Sequence, residues 1–146
     1  MGRKTHGEVI MKRAALLLTI VAVLFTSAAF AGEKDPLFIN LTSDDSHRAL
    51  MALSFGQAQM QRGHPLTVFL NDKAVLVASR KNAASYAEQQ KIMAEIAAKG
   101  GTVLVCPMCS KKFGVPEADL AQGAKLANPD ITGPALFQDN AKTLSW

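Results

Sequence analysis

The only two cysteines of the chain stand in Cys106-Pro107-Met108-Cys109, and C-x-x-C is a spacing shared by redox pairs and soft-metal ligands. The run Thr102-Val103-Leu104-Val105 before them is apolar and rich in β-branched residues, the pattern of a short buried strand. The pair then falls where a strand ends, and in open parallel α/β sheets that rim is where ligands bind. Pro107 suits a first helical position, because its missing N–H would have no intrahelical partner there. Orphan N–H groups of such a turn, with Lys111 and Lys112 close by, favour a thiolate and hence a nucleophilic sulfur. Several uses of the pair stay open: thiol or sulfane-sulfur exchange, a soft-metal (copper or zinc) or small-ligand site on Cys106 and Cys109 with Met108 as a further soft donor, a plain structural disulfide, and two half-buried thiols that only pack.

Other chemistry finds little support. Neither G-x-G-x-x-G nor G-x-x-x-x-G-K-[ST] occurs, and nothing in the sequence calls for an organic cofactor. Asp44-Asp45 reads as negative charge complementing a helix N-terminus rather than as a catalytic carboxylate pair. His47 falls in the first turn of that helix and His64 in a loop, and no spacing ties either to the cysteines as a Cys2His2 metal site.

The net charge of +4 is uneven: Arg3, Lys4, Lys12 and Arg13 against Glu8 leave only +1 for residues 32–146. The remaining lysines and arginines are scattered, which excludes the electrostatic footprint of a nucleic-acid partner. Ala14 to Phe25 is uncharged with one hydroxyl, Thr19; Lys12-Arg13 precede it and Ala29-Phe30-Ala31 closes the small-residue stretch after it. A basic region, a short apolar run and a small-x-small end make a secretory signal peptide over residues 1–31. Met11-Lys12-Arg13-Ala14 is the more usual opening of such a signal, which makes residues 1–10 a candidate start-site artefact. The mature chain, residues 32–146, is expected to be periplasmic or secreted, with no stable membrane span after cleavage. At that address a free dithiol tends toward a disulfide unless a partner keeps it reduced.

The elements that must position the cysteines follow in order. Leu37–Leu41 reads as a first strand, and Ala49, Leu50, Leu53, Gly56 and Met60 lie on one face of a first helix. Leu66–Leu70 is a second strand, Asn71-Asp72 a turn, and Ala74–Ala78 an apolar stretch without a firm assignment. Ser85-x-x-Glu88 reads as a capping box opening a helix with Ile92, Met93 and Ile96 inward, ended by Gly100-Gly101. After the cysteines, Pro116–Leu120 reads as a helical turn. Asn128-Pro129-Asp130 and Gly133-Pro134 punctuate the chain, and Lys142–Trp146 is a last short strand. The alternation predicts one α/β domain: a three-layer sandwich with a mostly parallel four- or five-stranded sheet and helices on both faces.

Thioredoxin-like oxidoreductases also carry C-x-x-C, but beside a tryptophan after the first βαβ strand of their core. Here the pair follows the third strand, and the one tryptophan is Trp146. From Leu37 to Trp146 the chain instead resembles the DsrE/DsrF-like sulfur-relay family. The likeness rests on Leu37-Phe38-Ile39-Asn40-Leu41-Thr42, on Val68 through Leu76, and on Cys106-Pro107-Met108-Cys109 followed by two lysines and Gly114-Val115. Gly114 stands eight positions after Cys106, so Cys106 matches the family's sulfur-accepting cysteine. Cys109 matches a second cysteine that some members carry. The resemblance implies a persulfide carrier or sulfurtransferase, assembled into homo-oligomers, that meets a sulfur donor or acceptor protein or a small thiol.

The N-terminal reading carries its own test. Intact-mass measurement of the exported form should give a chain beginning at Gly32; retention of Ala14–Phe25 in a membrane fraction would overturn the assigned address.

Overall fold

Leu37–Leu41 (β1) and Leu66–Leu70 (β2) bury side chains on both sides of the strand, as a parallel strand covered on each face must. The computed structural model describes residues 34–146. The signal peptide read in residues 1–31 lies outside the described residues. Thr102–Val105 (β3), Ala124–Leu126 (β4) and Lys142–Ser145 (β5) complete a five-stranded sheet in the order β4-β3-β2-β1-β5. Every pairing is parallel, with Leu41 beside Leu70, Leu70 beside Val105 and Val105 beside Leu126, so the carboxyl ends share one rim.

Four helices connect the strands: α1 (Ser46–Gln61), α2 (Ala83–Ala98), α3 (Pro107–Phe113) and α4 (Pro129–Phe137). The crossovers from β1 to β4 all step the same way across the sheet, so right-handed connections put α1, α2 and α3 on one face. The return from β4 to β5 runs the other way and carries α4 to the opposite face. The expected three-layer architecture is therefore present, with five strands.

The main core lies between the sheet and the α1–α2 layer. Ile39, Leu41, Val68, Leu70 and Val105 meet Leu53, Met93 and Ile96 there, all without solvent exposure. Each such side chain contributes about 1.5–3 kcal/mol of burial. Polar ties set how the two helices lie together: Gln57 donates to Glu95 at 2.7 Å, and Gln89 donates to the Ser46 carbonyl at 2.8 Å. On the other face, Phe38 and Phe69 pack with ring centroids 6.3 Å apart and Leu104 is fully buried.

Local signals were read well in some places and overridden in others. Asp45 caps α1, its carboxylate accepting from the Arg48 N–H at 2.8 Å, as the Asp44-Asp45 pattern predicted. The Ser85–Glu88 box does not open α2, which starts at Ala83 and breaks its helical geometry at Tyr86. Tyr86 is tied there by its hydroxyl, which donates to the Asp44 carbonyl at 2.7 Å. Asn128-Pro129 begins α4, with Asn128 accepting from the Ile131 N–H at 3.0 Å. Gly133-Pro134 lies inside that helix instead of breaking it. The unassigned stretch after β2 is a 3-10 turn over Asp72–Leu76 followed by buried Val77 and Ala78. It is held by Gln90, which donates to the carbonyls of Val77 at 3.1 Å and Ser79 at 2.8 Å. β4, only three residues long, had no signal of its own.

Gly123 lets the chain turn into β4 against α2. Its φ is +87°, and an added Cβ would stand 2.9 Å from the Met93 carbonyl oxygen and 3.1 Å from the Ala94 Cα. Both are backbone atoms that cannot swing away. Gly123→Ala should therefore destabilise the domain by about 2–4 kcal/mol, combining left-handed strain with a steric clash. Urea unfolding would check this, and an unchanged midpoint would contradict it.

Candidate functional site

Cys106 ends β3 and caps α3. Its backbone is extended (φ −62°, ψ 117°), and its N–H donates to the Leu70 carbonyl at 2.9 Å. Its own carbonyl accepts from the Ser110 N–H at 2.9 Å, so the residue is pinned by the sheet on one side and the helix on the other. The Cys106 Sγ accepts from the Cys109 N–H at 3.4 Å, the place a serine or aspartate oxygen takes in an ordinary N-cap. Pro107 occupies the first turn, and Gly114 closes α3 in the left-handed region at φ 69°. That closure is the physical reason for a glycine eight positions after Cys106.

Cys109 lies one turn further and meets a second segment. Its Sγ accepts from the Asp72 N–H at 3.1 Å. Asp72 holds a left-handed φ of 46°, a conformation aspartate tolerates better than most residues. The loop carrying it is fastened to β1: the Asn71 N–H donates to the Leu41 carbonyl at 2.9 Å, and the Asn71 side chain donates to Asn40. Each sulfur thus has one backbone donor, one from the first turn of α3 and the other from the turn after β2. Both cysteines are free thiols and half-buried.

At Cys109 the backbone donor is outweighed. Partial burial comes first among the causes that push its thiol above the ordinary range, followed by the contact with Cys106. The Asp72 N–H opposes them, and the nearby Cys106 and Asp72 charges add to the rise. The lysines do not offset this: Lys111 and Lys112 are exposed, and Lys112 lies 5.2 Å over the Phe113 ring. Met108, between the sulfurs in sequence, is 81% exposed.

The other sequence candidates lie apart from the pair. His47 is in the first turn of α1, and His64 precedes β2 at the amino end of the sheet, its Nδ1 2.8 Å from the Asp35 carbonyl oxygen. Among the described residues, no three His, Cys, Asp or Glu side chains gather closely enough to hold a metal ion. Asp72 is the residue that sequence reading missed. It was legible as a turn, and only the parallel placement of β2 beside β3 makes it a neighbour of Cys109.

Comparison with known proteins bears on this geometry. The model of the DsrE/DsrF-like family matches residues 35–140. The chain belongs to the DsrE/DsrF-like family. Membership points to a role of the sulfur-relay type. Uncharacterized protein MJ0989 of Methanocaldococcus jannaschii is 35% identical over 101 residues, covering 66% of this chain and 86% of that one. The fold is similar to that of ychN protein from E. coli, with TM-score 0.61 and 15% identity over 77% of this chain and 99% of the other. It is also similar to MTH1491 from Methanobacterium thermoautotrophicum, with TM-score 0.63 and 16% identity over 77% and 100%. In this DsrE/DsrF-like chain no helix among the described residues is long and apolar enough to cross a membrane.

The arrangement predicts a late ionisation of Cys109 that alkylation can read. Iodoacetamide labelling of Cys109, followed by peptide mass, should rise with pH only above the ordinary thiol range of about 8.5. Asp72→Asn and Cys106→Ser each remove a group that disfavours the thiolate, so each should move that midpoint down. Full labelling of wild-type Cys109 near neutral pH would contradict the assignment.

Proposed function

We propose that this is a periplasmic or secreted DsrE/DsrF-like protein that carries or transfers sulfane sulfur, or exchanges thiol and disulfide, through Cys106 and Cys109. The observation that carries the reading is the pairing of each sulfur with its own backbone donor, Cys109 N–H on Cys106 and Asp72 N–H on Cys109. A backbone N–H aimed at sulfur stabilises a thiolate or perthiolate without itself being titratable.

The division of labour follows from the two environments. First attack falls to Cys106, fixed at the strand end and set eight positions before Gly114, while the surroundings of Cys109 disfavour its thiolate. The Cys106 thiolate attacks the outer sulfur of a sulfane donor; the donor's S–S bond breaks, and a Cys106 persulfide forms as the donor thiolate leaves. Transfer to an acceptor thiolate repeats the exchange in the other direction. Without an acceptor, the Cys109 thiol loses its proton to solvent and its sulfur attacks the Cys106 Sγ. That step expels hydrosulfide and leaves a Cys106–Cys109 disulfide, which an external dithiol must reduce before another cycle.

The exposed thioether of Met108 favours a second reading, in which the two thiolates hold a soft ion such as copper(I) or zinc and transform nothing. Metal content of protein purified under reducing conditions separates the two. Assembly into homo-oligomers belongs to this proposal as well: β5 is an edge strand exposed at all four positions, with Leu144 among them.

Treatment with a sulfane donor and intact-mass measurement would test the roles. Cys106→Ser should fail to take up the added sulfur, about 32 Da for one persulfide atom. Cys109→Ser should take it up and hold it longer than wild type, because no neighbouring thiol displaces it. An adduct on Cys109 alone would sink the proposal.

A further inference from the structure

Beside the cysteine turn lies a cleft of about 390 Å³, within the range of small-molecule sites. It opens between α3 and the segment that runs through the 3-10 turn Glu117–Asp119 to the end of β4. Pro107, the residue bonded to Cys106, forms part of its wall, and Val115 and Leu126 give it apolar surface. Leu126 ends β4 beside Val105 of β3, so the cleft sits on the same carboxyl rim as the sulfur pair.

Its polar groups are few and of three kinds. Lys111 supplies a cation from α3, and Glu117 supplies a carboxylate from the facing turn. The two are not paired with each other; the ion pair among the described residues joins Lys142 to Asp35. Ser110 also lines the cleft; it is 4% exposed, and its Oγ has no hydrogen-bond partner within the protein. A buried hydroxyl in that condition is unusual, and a ligand atom that bonds it recovers a hydrogen bond the fold leaves unmade. One cation, one carboxylate and one hydroxyl around an apolar wall do not suit a dianion such as thiosulfate, which Glu117 would repel. They suit a zwitterion with a short aliphatic stem.

We propose that this cleft binds the α-amino-acid head group of a small thiol, with Lys111 on its carboxylate, Glu117 on its ammonium and Ser110 as a further hydrogen-bond partner. This rests on the sulfane-carrier reading above and names the substrate class for it: an amino-acid persulfide, R–S–S–H. Bound against Pro107, the donor offers its outer sulfur to the Cys106 thiolate. The new S–S bond forms at Cys106, the old one breaks, and R–S⁻ departs while the transferred sulfur keeps its proton.

The unreactive probe S-methylcysteine tests the cleft apart from the chemistry. Titration into the full chain, followed by NMR, should shift the amides of Lys111, Gly114 and Val115. Lys111→Gln and Glu117→Gln should each weaken binding about tenfold, the loss of one charge-assisted hydrogen bond. Ser110→Ala should weaken binding without lowering the melting temperature, which a purely structural hydroxyl would not do. In loading assays, the rate with cysteine persulfide relative to inorganic polysulfide should fall in Lys111→Gln. Loading of Cys106 by inorganic polysulfide, with no S-methylcysteine shifts in the cleft, would overturn the cleft and leave the carrier standing. Cleft binding with no loading from either donor would overturn the carrier and with it the donor role assigned here.

Discussion

The parallel pairing of β2 with β3 is the constraint on which the rim depends. With Leu70 beside Val105, the Leu70 carbonyl receives the Cys106 N–H at 2.9 Å, and β3 ends there in a helix cap. The same strand β2 delivers Asn71 and Asp72, and β1 holds them through the Leu41 carbonyl. The Asp72 donor to Cys109 is therefore a consequence of that register, while the Cys109 N–H donor to Cys106 is local to the cap of α3. A slip of one residue would turn Val68 and Leu70 out of the α1–α2 core and carry Asp72 away from Cys109. The fully buried side chains of these strands make that slip costly, so core packing holds the site geometry.

At Cys109 two electrostatic effects compete, and their sizes decide the outcome. α3 has only seven residues, and a helix terminus typically contributes about 0.3–1 kcal/mol to a nearby charge. Loss of solvation, a second sulfur in contact and the Asp72 carboxylate act against the charged form together, and the Asp72 N–H only partly offsets them. The two cysteines that the motif alone leaves equivalent thus differ in their surroundings, with the Asp72 turn meeting Cys109. One is fixed at a strand end, and the other is kept as a thiol until something calls on it.

The architecture was legible because its signals are local. Leu37–Leu41, Leu66–Leu70 and Thr102–Val105 are apolar runs of strand length, and Ala49, Leu53 and Gly56 keep helical spacing. Cys106 and Cys109 were legible for a different reason, being the only thiols and set at a strand end. What escaped depends on tertiary partners. The turn after β2 is set by Gln90, and Ser79 is tied to Asp119 far along the chain. The start of α2 is displaced from its Ser85 signal, with Tyr86 tied to the Asp44 carbonyl. Asp72 and the cleft at Ser110 belong to that second group, since each arises where segments distant in sequence meet on the rim.

The central claim is that Cys106 takes the sulfur and Cys109 resolves it. A time course on the reduced wild-type protein, given one equivalent of a sulfane donor and no acceptor, tests it directly. Samples quenched by alkylation and mapped by peptide mass should show the extra sulfur first on Cys106. It should then disappear at the rate at which a Cys106–Cys109 disulfide and free sulfide form. Sulfur arriving first on Cys109, or leaving Cys106 with no disulfide formed, would contradict the account.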